Sequence, residues 1–477
     1  EATSCDWPPT AFGNSLGHMA WHVVIAGGGF GGFYAARALE RALPPQAARI
    51  TLVNDVNFML YTPLLPGAAA GTLEPRHVVV PLREELSRTH LRLGTVVGGT
   101  PSDKTLQVRT LKGSVEDLGY DHLIVALGSV SRTLPIPGLA EHGIGFKSLP
   151  EAIELRNHVL RTLEVAETLE DPDERRKWLT YIFVGAGYAG LEGLAELQDF
   201  AADVIDLYPR CRTQGMRWIL VEARDRVMPE IPPDLADFAT RELRGRGIAI
   251  RTSTTLDAVT DDSATLSGGE VIPTRTVVWT AGVRPHPVIA RLGLPLDDGG
   301  RIKVDSTLRV DGQQDIWALG DAAAVPDPAK KGKAPTPPTA QHAIRQGKLA
   351  GRNVAASIGS GHIKPFKFKT KGVFVDMGQG QAVATTLGIK WRGLAAWWLA
   401  RSYHLAMLPG TKRKWRLLID WNIQLIFGRD ASELGGLGRA PGLGHDPTVG
   451  GTPPAGAATA LDAAPAQDPA TAPVAPS

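Results

Sequence analysis

Along most of the chain, short apolar runs that end in small residues alternate with longer segments whose apolar positions recur at helical spacing. "HVVIA" (22–26) reads as a buried strand, "GGGFGG" (27–32) as a glycine loop, and Phe33 to Leu43 as a helix stopped by Pro44-Pro45. "ARITLVND" (48–55) supplies the next strand. Strand, glycine turn, helix and strand in this order predict a βαβ unit. A second copy follows in "WLTYIFVGAGYAGLEGLAEL" (178–197) and "MRWILVEA" (216–223). Three more apolar strands end in small residues: "DHLIVALGS" (121–129), "RTVVWTAGVRP" (275–285) and "QDIWALGDAA" (314–323). Pro-rich "VPDPAKKGKAPTPP" (325–338) predicts a surface loop, and "TAQHAIRQGKLAGRNVAASI" (339–358) a helix. The class is α/β, with two Rossmann-like units.

The glycines indicate what the turns are for. In Gly27-x-Gly29-x-x-Gly32 the first glycine permits a tight turn and the second lets backbone approach a pyrophosphate. The third lets helix and strand pack closely, so that the helix N-terminus faces the phosphates. A ribose acceptor is expected about 20 residues further on, where Asn54 and Asp55 stand. Gly185-x-Gly187-x-x-Gly190 has the same flanks, with Glu222 closing its second strand after a longer crossover. A carboxylate there bonds both hydroxyls of an unphosphorylated ribose and repels a 2′-phosphate, which favours NADH over NADPH. Arg224 and Arg226 either serve a 2′-phosphate or are solvated surface charges. Two such units predict two dinucleotides, or one dinucleotide and one flavin. Glu192, two residues past Gly190, either complements the helix dipole or lines a nicotinamide pocket, and spacing does not choose between them.

Composition narrows the classes. At 477 residues the chain has room for two or three domains. A net charge of +2, with no basic nucleic-acid motif, gives no reason to invoke nucleic acid. Cys5 and Cys211 are the only cysteines, so neither a disulfide framework nor zinc spacing is present, and no metal site is expected. No apolar run reaches the roughly 20 residues of a membrane-spanning helix. Residues 1–18 lack the basic and apolar regions of a signal peptide and read as a leader or appended segment outside the fold. Residues 439–477 are rich in Pro and Ala and are expected to be disordered, because they bury too little to offset ordering entropy.

Together these residues resemble a known group. The two glycine units, the "ALGS" and "TAG" strand ends and the late "ALGDAA" resemble two-dinucleotide-binding-domain flavoproteins. Within these the chain resembles the type II NADH dehydrogenases, single-subunit NADH:quinone oxidoreductases. "NFMLYTPLLPGAAAGTLEPRHVVVPLR" (57–83), "GAGYAGLEGLAEL" (185–197) and "AQHAIRQGK" (340–348) carry that likeness. The resemblance implies a glutathione-reductase-like arrangement. An FAD domain in two parts, 19–148 and 295–360, would hold an inserted NADH domain, 149–294, with a membrane-binding or dimerisation region at 361–438.

It also implies FAD on Gly27, Gly29, Phe30, Gly31 and Gly32, with Asn54, Asp55, Pro63, Leu64, Ala126, Gly128, Gly320 and Asp321 around it. NADH would lie on Gly185, Gly187, Tyr188, Gly190, Glu222 and Gly282, with Glu192 near the nicotinamide. A quinone would lie beside Ala340, Gln341, Ala343 and Gln346, with Lys371 near the same pocket. NADH would reduce the flavin, and the flavin a membrane quinone, menaquinone in the first instance, without proton pumping. Gln341 and Gln346 would orient a quinone carbonyl by hydrogen bonding, since an amide supplies no net proton. Two departures stand out: Asn54 replaces an acid found in many relatives, and Tyr188-Ala189 replaces Pro-Thr.

"LAAWWLARSYHLAMLPGTKRKWRLLIDWNIQLIF" (394–427) gathers Trp397, Trp398, Trp415 and Trp421 with Arg401, Lys412, Arg413, Lys414 and Arg416. Trp415, Leu418, Ile419, Leu425 and Ile426 at helical spacing suit two core helices. Indoles mixed with cations, and Asp420 as the sole acid from 390 to 429, suit instead an amphipathic, monotopic platform on a bilayer. The second reading puts the protein peripherally on the cytoplasmic face of the cell membrane, and the same surface is a candidate homodimer contact. Two rivals are a soluble NAD(P)H-dependent reductase of ferredoxin or rubredoxin, and an apoptosis-inducing-factor-like NADH-binding redox sensor. The first has no use for a cationic, Trp-rich C-terminal segment, and the "AQHAIRQGK" helix argues against the second.

Overall fold

The apolar runs become the strands of two sheets in the computed structural model, which describes residues 20–329, 334–368 and 372–433. β1 (Trp21–Ala26), α1 (Phe30–Ala42) and β2 (Ala48–Asn54) form the first βαβ unit. β3 (Thr89–Thr100), β4 (Thr105–Thr110), β5 (Val115–Gly119) and β6 (His122–Val125) follow. The second unit comprises β7 (Gly143–Gly145), α2 (Leu149–Thr168), β8 (Thr180–Val184), α3 (Tyr188–Val204), β9 (Arg217–Val221), β10 (Ala249–Arg251) and β11 (Thr276–Trp279). The chain then adds β12 (Ile316–Ala318) and α4 (Ala340–Ser357). It ends in β13 (Gly372–Asp376), β14 (Ala382–Thr386), β15 (Ile389–Arg392), α5 (Gly393–Met407) and α6 (Thr411–Phe427).

The first sheet has the order β12-β6-β1-β2-β3-β4-β5 and the second β7-β11-β8-β9-β10. Pairing is parallel throughout the second sheet and from β12 to β3 in the first. The chain therefore leaves the first sheet after β6, builds the second, and returns through β12. In each sheet the strand order reverses beside a glycine turn, between β1 and β6 and between β8 and β11. Open parallel sheets bind ligands in the crevice at such a point.

α1 begins at Phe30, three residues earlier than the expected Phe33, because Gly31 and Gly32 belong to the helix. A Cβ on Gly32 would lie 1.8 Å from the Gly27 carbonyl oxygen, so only glycine lets the helix start this close to the strand. The same economy joins α1 to α4, where a Cβ on Gly347 would lie 2.2 Å from the Gly31 carbonyl oxygen. Ile25, Phe33, Leu39, Leu52 and Trp317 are fully buried between the first sheet and these helices. Tyr181, Phe183, Leu194 and Phe200 form the core of the second unit. Each such side chain contributes about 1.5–3 kcal/mol on burial.

The last two helices depart from the core-helix reading of their spacing. α6 buries Arg413, Leu417 and Trp421, and the inward Arg413 donates to the Arg76 carbonyl at 3.0 Å. Trp415, Ile419, Leu425 and Ile426 are 64%, 54%, 63% and 71% exposed. The apolar stripe picked out by periodicity thus faces outward. Arg401 joins the two helices, its guanidinium 3.8 Å from the Trp397 ring centroid and 4.9 Å from that of Trp421.

Candidate functional site

The two glycine turns are built alike. Gly27 follows β1 with φ +101°, and Gly185 follows β8 with φ +105°. A Cβ on Gly27 would lie 2.4 Å from the Ala126 carbonyl oxygen at the end of β6, and one on Gly185 would meet Ala281 backbone at 2.9 Å. Each turn is latched by the polar residue that ends its second strand. Asn54 Oδ1 accepts from the Gly28 amide at 2.7 Å, and Glu222 Oε2 accepts from the Ala186 amide at 2.7 Å. Gly29 and Gly187 cap α1 and α3, with Phe30 and Tyr188 the first helical residues. Added Cβ atoms at Gly29, Gly128, Gly187 and Gly282 would meet nothing within 4 Å, so these positions border open space. Two backbone cradles with helix N-termini at their backs are suited to the phosphates of two dinucleotides.

The latches differ in what they leave over. Asn54 donates its amide to the Val56 carbonyl at 2.8 Å, so both ends are committed to backbone. Asp55 is exposed at the same strand end and is the free acid there. Glu222 uses its second oxygen on the Arg224 amide at 2.9 Å and places a carboxylate, not an amide, at this strand end.

A cavity of 440 Å³ has Ser129, Arg132, Arg284, Arg301, Gly320 and Asp321 among its walls. Ser129 Oγ donates to Asp321 Oδ2 at 2.5 Å, and Lys147 Nζ donates to Ser129 Oγ at 2.9 Å. Burial lowers the Lys147 pKa, and Asp321 and Glu151 oppose that shift. Gly320 holds φ +67°, and its amide donates to Gln346 Oε1 at 2.8 Å.

A second, narrower cavity of 40 Å³ has Pro63, Leu64, Glu192, Glu196, Phe374, Asp376, Arg401 and His404 among its walls. Glu192 Oε1 accepts from the Asp376 amide at 3.0 Å. Burial holds the Glu192 carboxyl well above the usual carboxylate range; the Asp376 amide opposes the shift, and the charges of Asp376 and Glu196 add to it. Asp376 is also pushed up, by burial and then by Glu196, with Arg401 opposing. Burial holds His404 down at about 4, and its Nδ1 lies 3.3 Å from the Tyr61 hydroxyl. Arg429, only 4% exposed at its side chain, closes the acidic face of α3. It reaches Asp199 at 2.8 Å, Asp203 at 2.6 Å and Glu196 at 3.5 Å. The cavity wall can therefore hold a proton on a carboxyl group at neutral pH.

The structure gives several of the expected quinone-side residues partners within the chain. Gln346 is fully buried, with Oε1 on Gly320 and Nε2 on the Thr336 hydroxyl at 3.0 Å. It fastens α4 to the turn after β12, with both ends of its amide engaged within the chain. Gln341 is half-buried and spends its Nε2 on the Gly372 carbonyl at 3.0 Å. Ala340 opens α4, and neither it nor Ala343 is in the walls of the two cavities. Lys371 lies outside the described residues. Sequence reading missed Ser129, Lys147, Glu196, Asp376, Arg401 and His404. A signal existed for two of them: Glu192, Glu196, Asp199 and Asp203 follow helical spacing on one face, and Asp376 interrupts an apolar strand.

The family model described as pyridine nucleotide-disulphide oxidoreductase matches residues 21–347. The type II NADH:quinone oxidoreductase Ndh of Mycobacterium tuberculosis is 30% identical over 426 residues, covering 85% of this chain and 88% of that one. A probable NADH dehydrogenase of Dictyostelium discoideum is 28% identical over 418 residues, covering 86% and 90%. The solved structure of NDH2 from Plasmodium falciparum in complex with NADH superposes with a TM-score of 0.79 at 20% identity, over 86% of this chain and 99% of that one. With two like-built dinucleotide cradles and these relatives, the chain belongs to the pyridine nucleotide-disulphide oxidoreductases and, within them, to the type II NADH:quinone oxidoreductases.

Proposed function

We propose that the chain binds FAD on the first cradle and NADH on the second, and passes two electrons from NADH to a membrane quinone without pumping protons. Menaquinone is the quinone named in the first instance. The observation that carries this reading is the repeated cradle: two glycine turns of one construction in one chain, with a cavity of 440 Å³ walled by Ser129, Gly320 and Asp321 just past β6 and β12 of the first sheet. That cavity fits the flavin half of FAD, since its wall offers the Asp321 carboxylate for a ribityl hydroxyl, and Gly29 and Gly128 leave room for phosphate and ribose. FAD bound there supplies the hydride-accepting and electron-passing chemistry.

The chain's own residues position and protect. The backbone amides at the N-termini of α1 and α3 hold pyrophosphates, and Glu222 holds the NADH ribose and disfavours a 2′-phosphate. Pro63 and Leu64 exclude water beside the proton-holding Glu192. The net reaction, NADH plus quinone plus one proton giving NAD⁺ and quinol, takes that proton from solvent, and the Glu192 carboxyl is a place to hold it. The outward apolar face of α6 lies on the cytoplasmic face of the cell membrane, and it is also the candidate homodimer contact. Among the described residues no helix is long and apolar enough to cross a membrane.

Steady-state NADH oxidation in detergent, with menaquinone and ubiquinone analogues and with ferredoxin as acceptors, tests the reading. Quinone-dependent turnover is expected. Reduction of bound flavin by NADH with no turnover on any quinone would favour the redox-sensor reading, and turnover on ferredoxin alone the soluble reductase.

A further inference from the structure

The close packing of α1 on α4 has an electrostatic consequence. Gly347 sits against Gly31, and a Cβ on Gly351 would lie 2.5 Å from the Ala35 carbonyl oxygen. Two rows of cations are thereby brought side by side: Arg37 and Arg41 from α1, and Arg345, Lys348 and Arg352 from α4. The charged heads of three of them lie over aromatic rings. Lys348 Nζ is 4.9 Å from the Tyr34 centroid, the Arg345 guanidinium 4.0 Å from that of Phe368, and the Arg37 guanidinium 5.5 Å from that of Phe33. Arg41, Lys348 and Arg352 are exposed.

Among the described residues no carboxylate forms an ion pair with Arg37, Arg41, Arg345, Lys348 or Arg352. α4 contains no Asp or Glu, and the one acid of α1, Glu40, turns its carboxylate to the Arg88 and Thr89 amides and the Thr89 hydroxyl, all at 2.8–2.9 Å. Lys348 is held below its usual range first by burial and then by Arg345, Arg352, Arg41 and Arg37, with no acid acting on it. Crowded like charges cost stability, and an external anionic surface offsets that cost. The ridge also adjoins the C-terminal helices. Tyr34, beneath Lys348, feels Tyr403 of α5, and Glu85, which acts on Tyr34, also acts on Arg413 of α6.

We propose that the α1–α4 ridge, through Arg37, Arg41, Arg345, Lys348 and Arg352, binds the anionic phospholipid headgroups of the membrane on which α5 and α6 lie. This rests on the membrane-surface reading above and adds a second, electrostatic contact to the apolar one. Two separate footprints fix the tilt of the molecule on the bilayer, whereas one helix alone leaves it free to roll.

The test uses the full chain with its cofactor and two vesicle types, phosphatidylcholine alone and phosphatidylcholine with phosphatidylglycerol. Each basic side chain at an anionic surface contributes about fivefold in partitioning. The variant R41Q/K348Q/R352Q is therefore expected to lose about a hundredfold in sedimentation with phosphatidylglycerol vesicles. Binding to phosphatidylcholine and turnover with a soluble quinone analogue are expected to be unchanged. The charge-matched variant R109Q/K112Q/R244Q, altered at exposed positions elsewhere, is expected to bind as the parent does. Equal binding by the ridge variant and the parent overturns the proposal while leaving membrane attachment intact. Equal losses in the ridge and control variants also overturn it, because net charge is then the cause. If the parent binds neither vesicle type, the membrane-surface reading fails and the ridge proposal fails with it.

Discussion

Asn54 and Glu222 hold corresponding positions and make the same bond to their glycine turns, yet only Glu222 is a carboxylate. Hydrogen bonds to a charged group are worth about 1.5–3 kcal/mol. Glu222→Ala is accordingly expected to raise KM for NADH about 10–100-fold, to leave kcat much less affected, and to narrow the preference over NADPH. Steady-state kinetics with both nucleotides check this, and an unchanged KM would remove Glu222 from the ribose site.

A second residue-scale expectation concerns pH. Burial holds His158 and His404 at about 4, against about 6.5 in an unfolded chain. Their contribution to stability is present above that unfolded value and lost as pH falls toward 4. Asp376 runs the other way, raised from 3.8 to about 7, so its contribution is full below the lower value and lost as pH rises through the upper. Asp376→Asn should flatten that loss in urea melts across this window while keeping the acid limb set by the histidines. An unaltered curve would show that Asp376 is not protonated in the folded state. The acids of α3 were legible as a helical stripe, but their partners were not. Arg401 and Arg429 come some two hundred residues later, and only the fold brings them to the stripe.

Among the elements, the strands and glycine turns followed from local pattern because period and turn chemistry are local properties. α6 did not. Its periodicity correctly marked one face, but the buried side is the one carrying Arg413, Leu417 and Trp421. Spacing defines a face and not what covers it. The fate of Gln346 was hidden for the same reason, since the Gly320 amide that occupies it belongs to a turn 26 residues away in sequence. The α1–α4 contact yields an element-scale expectation. Gly347→Ala places a methyl group against the Gly31 carbonyl, and overpacking of this kind costs about 1–3 kcal/mol. Because Gly31 lies in the first cradle, a lower Tm should be accompanied by looser flavin retention, read by thermal melts and gel filtration. Arg429 supplies another. Arg429→Met removes the cation in direct contact with buried Glu196 and Asp199, a loss of about 3 kcal/mol. Urea denaturation that detects no such loss would make the cluster electrostatically neutral to folding.

At the scale of the whole molecule, the repeated βαβ unit made two parallel sheets legible, and the chain returns to the first through β12 after building the second. The outer face of α6 bears on where the molecule works. Trp415, Ile419 and Ile426 are exposed and contribute little to the core, so their replacement by serine should leave Tm nearly unchanged. The same replacement should abolish sedimentation with vesicles, and retained binding would place the membrane contact elsewhere.

The central claim is that electrons from NADH cross a bound flavin to reach a quinone. One anaerobic experiment in detergent tests it most directly: the visible spectrum of the purified protein is followed while NADH and then a quinone analogue are added in sequence. The expected result is a flavin band that bleaches with one equivalent of NADH and returns on addition of quinone. A protein without a flavin band, or one whose bleached band quinone does not restore, would contradict it.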